Sequence, residues 1–236
     1  MIRYFLMAIL LISCTQQEDF STPAQSQIDS YRLQARQCSA KVASKATELK
    51  SHSQLDDAKT IFAITEDDIV LGNSKASVVV IEYLAPTCAH CAYFYKKIFP
   101  DLKKNYIDNN KIAYVMREFI GNRQDLDATT LIYCSKPENR LKVLDVIFMQ
   151  QESWAANTKY RDILTNIAQL SGISAEQYEQ CLNDKDLSTK LIGVARAVTH
   201  VPSFTGTPAF VINGAVYVGE YSYKGLSDAI DAAIGQ

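Results

Sequence analysis

A strand-like run of β-branched residues leads into a C-x-x-C motif, and a helix-like segment begins within that motif. The run spans Val78 to Ile81, and the two cysteines are Cys88 and Cys91. The first backbone N–H groups of a helix have no partner, so a thiol at such a junction experiences a partial positive charge. The pattern therefore predicts that Cys88 ionises easily and that Cys91 lies one turn inside the helix.

The order of strand-like and helix-like segments predicts an α/β fold. "KIAYVMREF", Lys111 to Phe119, follows the helix that contains the cysteines, and this β-helix-β order implies a parallel pair with a right-handed crossover. "IFAI", which starts at Ile61, is interpreted as a short first strand. "PAFVI" and "AVYVG" form a predicted hairpin, because Asn213-Gly214 between them is a strong turn signal. "SYKGLSDAIDAAI" predicts a closing amphipathic helix.

Between these strands, residues 124 to 199 are almost entirely helical in pattern. Apolar periodicity and a capping box at Ser174 and Gln177 predict five helices, which are Leu126 to Cys134, Arg140 to Met149, Tyr160 to Leu170, Ala175 to Leu182 and Leu187 to Val198. We therefore predict a thioredoxin fold with an inserted helical domain. The thioredoxin domain comprises residues 60–120 and 200–236, and the insertion comprises residues 121–199.

The N-terminus has the features of an export signal. Arg3 precedes the apolar run "YFLMAILLI", which is too short to span a bilayer. We predict a signal peptide over residues 1–13 and a periplasmic protein. "LISC" resembles a bacterial lipobox, which makes Cys14 a candidate lipidation site, with ordinary signal cleavage nearby as the alternative. Residues 14–59 are interpreted as a tether or helix, and a weak heptad pattern leaves an oligomerising stalk open.

Export changes how the six cysteines are interpreted, because disulfides form and persist in oxidising compartments. Cys134 and Cys181 each lie on a predicted helix of the insertion, so a disulfide between them is one prediction and two buried free thiols are the alternative. Cys38 is left over and receives no catalytic role. The formal net charge of −2 and the absence of a Lys/Arg block give no reason to expect a nucleic-acid partner.

A C-x-x-C motif has several uses besides thiol chemistry. A structural zinc site needs a second pair of ligands, and the histidines, His52, His90 and His200, are scattered. Covalent haem attachment needs a histidine directly after the second cysteine, where this chain has Ala92. A purely structural disulfide between the two cysteines remains an alternative.

Two segments together, "IEYLAPTCAHC" and "GTPAFVING", resemble the bacterial DsbA family of thioredoxin-fold thiol:disulfide oxidoreductases over about residues 60 to 236. The resemblance implies a cis-proline at Pro208, preceded by Thr207 and packed against the active-site disulfide. It also implies that the backbone at Thr207 pairs with an extended substrate segment.

Two further residues are candidates for the site. Glu82 lies in an apolar strand, where burying it is costly unless it has a partner or holds a proton. The resemblance places an acidic residue here beneath the active site, where it relays a proton for Cys91; an exposed strand residue is the alternative. His90, between the cysteines, would add positive charge near the Cys88 thiolate, and a neutral residue facing solvent is its alternative.

These observations predict an exported enzyme that donates its Cys88–Cys91 disulfide to reduced or unfolded exported proteins. No organic cofactor or metal is expected, and the resemblance implies re-oxidation by a quinone-linked membrane partner. Two alternatives remain: a disulfide isomerase or reductase made oligomeric by the N-terminal segment, and a non-enzymatic soft-metal chaperone that binds Cu(I) through the two cysteines and a histidine.

Overall fold

The computed structural model describes residues 60 to 235. The predicted signal peptide (residues 1–13) and tether (residues 14–59), and with them Cys14 and Cys38, lie outside the described residues. The predictions made for these segments are therefore not addressed by the fold.

The described residues form a five-stranded mixed sheet in the order β1-β3-β2-β4-β5. The strands are β1 (Ile69–Gly72), β2 (Val79–Leu84), β3 (Ala113–Glu118), β4 (Ala209–Ile212) and β5 (Ala215–Val216). β2 and β3 are parallel, as the β-helix-β order predicts, whereas β1 pairs antiparallel with β3 and β4 pairs antiparallel with both β2 and β5. The sheet confirms the predicted α/β class.

The α-helices lie between and after these strands. They are α1 (Ala89–Lys97), α2 (Phe99–Leu102), α3 (Arg123–Cys134), α4 (Arg140–Met149), α5 (Gln151–Trp154), α6 (Tyr160–Leu170), α7 (Ala175–Leu182), α8 (Lys185–Val198) and α9 (Tyr223–Ile234). The predicted capping box of Ser174 and Gln177 is present at the start of α7. Within residues 60 to 235, none of the helices has the length and apolar content that crossing a bilayer requires.

The alternation of side chains along β2 determines what lies under the cysteine helix. Successive residues of a strand point to opposite faces of the sheet. Val80 and Leu84 belong to the core cluster that includes Cys91 of α1, whereas Ile81 and Tyr83 belong to the cluster on the other face. Glu82 alternates with Val80 and Leu84, so its carboxyl group lies on the face that α1 covers.

The prediction of a first strand in "IFAI" is wrong, because the first strand is β1, Ile69–Gly72. The backbone carbonyl oxygens of Ile61 and Ala63 accept hydrogen bonds from the buried Arg117 guanidinium at 2.8 and 3.0 Å instead of from a neighbouring strand. Arg117 also donates to both carboxylate oxygens of Asp68 at 2.7 and 2.6 Å. The Arg117 side chain, distant in sequence, therefore provides the hydrogen bonds that a neighbouring strand was predicted to provide.

A disulfide joins Cys134, at the end of α3, to Cys181 on α7, with 5.9 Å between their Cα atoms. The two cysteines are 47 residues apart in the sequence. The bond therefore closes a long loop that contains α4, α5 and α6, and it restricts the unfolded chain more than the folded one.

We expect the double variant Cys134→Ser/Cys181→Ser to lose about 4 kcal/mol of unfolding free energy, because the unfolded chain regains the entropy of a loop of this length. Urea denaturation of the oxidised wild type and the variant measures the difference. A loss below about 1 kcal/mol would show that loop closure does not govern the stability of the insertion.

Candidate active site

Cys88 is the N-cap residue of α1, with φ −73° and ψ 114°. Its Sγ accepts a hydrogen bond from the backbone N–H of Cys91 at 3.2 Å. Cys88 is partly exposed and Cys91 is buried, and both are free thiols in this structure. One sulfur is thus accessible to another molecule, while the second lies one helical turn inside the protein.

The peptide bond between Thr207 and Pro208 is cis. Cys88 Sγ lies 3.3 Å from the carbonyl oxygen of Thr207, to which it donates a hydrogen bond when protonated, across a sequence separation of 119 residues. Pro208 is buried and directly precedes β4, which pairs with β2. The sheet register therefore brings the proline turn against the cysteine that leads into α1.

The pKa of the Cys88 thiol is lowered to about 6. The largest cause is a hydrogen bond from the Cys91 thiol, and the Thr207 side chain and the backbone N–H groups of Cys91 and His90 lower it further, against the opposing effect of burial. His90 thus acts on Cys88 through its backbone, while its side chain is exposed. Cys88 is mostly a thiolate at neutral pH.

The pKa of the Cys91 thiol is raised, in contrast to that of Cys88. Burial is the largest cause, followed by the hydrogen bond to Cys88 and the negative charge of the Cys88 thiolate. Cys91 therefore keeps its proton at neutral pH and donates it towards its partner. The two sulfur atoms of one motif are held in opposite protonation states.

Glu82 lies under this pair and is 1% exposed, which excludes the alternative of a solvent-facing strand residue. Its Oε2 accepts a hydrogen bond from the hydroxyl of Tyr114 at 2.7 Å, and its buried Oε1 has no hydrogen-bond partner. Burial raises the pKa of Glu82 to about 8; the Tyr114 hydrogen bond opposes this rise and the Cys88 charge adds to it. Glu82 is therefore mostly protonated at neutral pH.

Asp125 supports the loop before Cys88 and was not identified from the sequence. Its Oδ1 accepts hydrogen bonds from both the backbone N–H and the hydroxyl of Thr87, each at 2.8 Å, and its Oδ2 accepts one from the N–H of Gly121 at 3.1 Å. Asp125 is buried in the first turn of α3, which Asn122 caps. The sequence indicates the helix cap at Asn122, but it does not indicate that Asp125 binds Thr87.

Gln151 supports the same loop from the helical insertion. Its Nε2 donates to the carbonyl oxygens of Pro86 and Cys88 at 2.8 and 2.9 Å. The side chain is buried at the start of α5. The only local signal in the sequence is a glutamine within a helical pattern, so its role depends entirely on the tertiary fold.

A second buried carboxyl group, Glu118, has similar surroundings to Glu82. Its Oε2 accepts a hydrogen bond from the hydroxyl of Tyr133 at 3.1 Å, and its Oε1 is buried without a partner. Burial raises its pKa to about 7. Glu118 is the last residue of β3, where it lies opposite Leu84 of β2 in the sheet.

Among residues 60 to 235, no three His, Cys, Asp or Glu side chains are grouped so that they could hold a metal ion.

We expect ultraviolet absorbance of the thiolate in the reduced protein to give a midpoint near pH 6 for Cys88. In Cys91→Ala the main hydrogen-bond donor is lost, so the Cys88 pKa should rise by about one unit or more. Cys91→Ser keeps a donor and serves as the matched control, with a midpoint close to that of the wild type. Equal midpoints in all three proteins would show that the helix terminus alone sets the Cys88 pKa.

We expect Glu82→Gln to stabilise the protein above pH 8 and to have little effect near pH 4. The carboxyl group ionises near 4.5 when unfolded and near 8 when folded, so folding above pH 8 buries a charge at a cost of up to about 5 kcal/mol. Glutamine removes this charge and retains an acceptor for Tyr114. Urea denaturation between pH 4 and pH 9 measures the effect, and Glu66→Gln, at an exposed position, is the control.

A family model described as "Thioredoxin" matches residues 64–232. The chain is 46% identical over 194 residues to a Rickettsia conorii protein named "Putative protein-disulfide oxidoreductase", an alignment that covers 82% of this chain and 70% of the relative. It is also similar to the crystal structure of Wolbachia pipientis alpha-DsbA1, with a TM-score of 0.69, 28% identity and coverage of 75% of this chain and 96% of that one.

The fold is similar to that of BdbD from Bacillus subtilis in its oxidised form as well. That comparison has a TM-score of 0.65 at 18% identity and covers 72% of this chain and 95% of the other. At this level of identity the likeness concerns the fold alone.

Proposed function

Because the chain belongs to the DsbA-like family of thioredoxin-fold proteins and is a thiol:disulfide oxidoreductase, we propose that it acts as an oxidase. In this proposal, it donates a disulfide between Cys88 and Cys91 to reduced exported proteins. The observation that carries the proposal is the opposite protonation of the two sulfurs: the pKa of Cys88 is lowered to about 6, whereas that of Cys91 is raised.

This asymmetry favours disulfide donation for a thermodynamic reason. Each pKa unit is about 1.4 kcal/mol of preference for one protonation state over the other. A Cys88 thiolate stabilised by its surroundings favours the reduced enzyme, and a disulfide whose reduced form is stabilised is a stronger oxidant. The lowered pKa of Cys88 therefore supports an oxidising role over a reducing one.

The proposed reaction starts when a substrate thiolate attacks Cys88 Sγ of the oxidised enzyme. The bond between Cys88 and Cys91 breaks, a mixed disulfide forms between the substrate and Cys88, and Cys91 leaves and takes a proton. Glu82, protonated at neutral pH, is the proposed proton donor beneath the pair. A second substrate thiolate then attacks the substrate sulfur of the mixed disulfide. The substrate disulfide forms, and Cys88 departs as a thiolate.

Substrate binding is proposed at the turn that contains the cis-proline. The Thr207 carbonyl oxygen lies 3.3 Å from Cys88 Sγ, so an extended substrate segment that pairs with this backbone would present its sulfur to Cys88. The exposed His90 side chain, between the two cysteines in the sequence, is proposed to add positive charge near the thiolate.

The cellular setting of the reaction is part of the proposal. The signal-like residues 1–13 and the lipobox-like "LISC" support periplasmic export with Cys14 as the candidate lipid anchor. Continued turnover requires an acceptor for the two electrons that the dithiol carries, and the family resemblance supports a quinone-linked membrane protein in that role. The isomerase or reductase alternative depends on oligomerisation through the N-terminal segment, which lies outside the described residues.

Equilibration of the full chain with glutathione buffers tests the proposed oxidase. We expect a potential near −120 mV for the Cys88–Cys91 pair, whereas a value near −270 mV would indicate a reductant and contradict the proposal. Oxidative refolding of a reduced secreted protein gives the activity. Cys88→Ser should abolish this activity, and Cys134→Ser/Cys181→Ser, which removes the second disulfide, should retain it.

A further inference from the structure

The hydroxyl of Tyr114 is the hydrogen-bond donor to Glu82, at 2.7 Å from Oε2. Tyr114 lies on β3 and is completely buried. Tyr114 and Glu82 belong to neighbouring parallel strands, where Tyr114 pairs with Val80. The partner of the buried carboxyl group is therefore fixed by the register of the two central strands.

The second carboxyl oxygen of Glu82 is different, because Oε1 is buried and has no partner. A buried polar atom without a hydrogen bond is costly and calls for an explanation. A neutral carboxyl group reduces this cost, since it carries a proton on one oxygen and no net charge. With Oε2 bound by the Tyr114 hydroxyl, Oε1 is the carboxyl oxygen left free to exchange a proton.

The chemical type of the partner matters for this arrangement. A lysine or arginine beside Glu82 would hold it as a carboxylate, whereas a phenol donates a hydrogen bond without bringing a charge. Glu82 also interacts electrostatically with Cys88, at the N-cap of α1, and with Tyr95 of α1, and exposed Asp145 acts in turn on Tyr95. Tyr114 thus orients the carboxyl group while leaving it able to gain and lose a proton near neutral pH.

We propose that Tyr114 is a positioning residue for proton transfer in the cysteine pair, which holds Glu82 Oε2 so that Oε1 carries the proton exchanged with Cys91. The inference rests on the proposed role of Glu82 in the oxidoreductase reaction. In the oxidising direction, the bond between the two sulfurs breaks and the departing Cys91 sulfur takes the proton from Oε1, which leaves a carboxylate. In the reverse direction, the Cys91 thiol returns the proton to that carboxylate before its sulfur attacks the mixed disulfide.

The first test follows the ionisation of the Glu82 carboxyl group directly. Isotope-edited infrared spectroscopy of the reduced full chain, with Glu82→Gln to assign the band, should show the protonated carboxyl band disappearing with a midpoint near pH 8. In Tyr114→Phe the carboxylate loses its hydrogen bond, so the midpoint should move up by about one unit. The phenylalanine ring retains the packing of the buried tyrosine.

Tyr133→Phe is the matched control, because it removes the same kind of hydrogen bond from Glu118, another buried carboxyl group with a raised pKa. We expect it to raise the midpoint of Glu118, which lies near 7, and to leave that of Glu82 unchanged. An unchanged Glu82 midpoint in Tyr114→Phe would overturn the proposal. So would an equal shift of the Glu82 midpoint in Tyr133→Phe, since the effect would then be a general loosening of the core.

The second test measures the proton transfer itself. Reduced enzyme is mixed rapidly with enough glutathione disulfide that formation of the mixed disulfide is not limiting, and the attack of Cys91 is followed by quenching with acid and alkylation. The rate should rise with pH as Glu82 ionises. In Tyr114→Phe it should be about tenfold lower at pH 7 and recover at a pH about one unit higher than in the wild type.

The outcomes separate the two proposals. A rate lowered equally at every pH, with an unshifted midpoint, would assign Tyr114 a merely structural role and overturn the inference. If the rate of Cys91 attack had the same pH dependence in Glu82→Gln as in the wild type, Glu82 would take no part in the proton transfer, and the inference would be overturned as well. A reducing potential of the wild type would refute the oxidase while leaving the role of Tyr114 intact, because the same proton moves in both directions.

Discussion

The interaction of the Cys91 thiol with Cys88 is the one on which the balance of charge between the two sulfurs depends. It is the largest cause of the lowered Cys88 pKa, and it also raises the pKa of Cys91. Together with the burial of Cys91, which is the largest cause of its raised pKa, this interaction keeps Cys88 mostly as a thiolate and Cys91 as a thiol. The rest of the structure serves this pair: the helix terminus supplies N–H groups, the proline turn covers one side, and a buried carboxyl group lies beneath.

The helical insertion contributes directly to the geometry of the pair. Asp125 of α3 and Gln151 of α5 hold the loop of Pro86, Thr87 and Cys88 from two directions. Both anchors bind backbone groups that precede a helix and would otherwise lack partners in a buried position. The insertion thus determines where the N-terminus of α1 points, in addition to covering the core.

Much of the fold was predictable because its signals are local. The β-branched run of β2, the helical periodicity of α4, α6 and α7, and the Asn213-Gly214 turn each specify an element within a few residues. The error at "IFAI" has the opposite origin. Its carbonyl groups are satisfied by Arg117, more than 50 residues further along, and nothing near Ile61 indicates this.

The candidate site shows the same difference between local signals and partners that are distant in sequence. Cys88, Cys91, Thr207 and Pro208 were identified from two short motifs, whereas Asp125, Gln151 and Tyr114 act through partners that are distant in sequence. The electrostatic balance at Cys88 was also only partly predictable. The helix terminus follows from the sequence pattern, but the larger effect of the Cys91 thiol requires the positions of both side chains.

The two halves of the site stand far apart along the chain, since Cys88 meets Thr207 across 119 residues. A polypeptide is made from its N-terminus, so the motif with both sulfurs emerges well before the proline turn and β4. Until that last part arrives, Cys88 has the neighbouring Cys91 thiol but lacks Thr207, which lowers its pKa further and lies against its sulfur. The order of synthesis therefore completes the site only when the molecule is nearly complete.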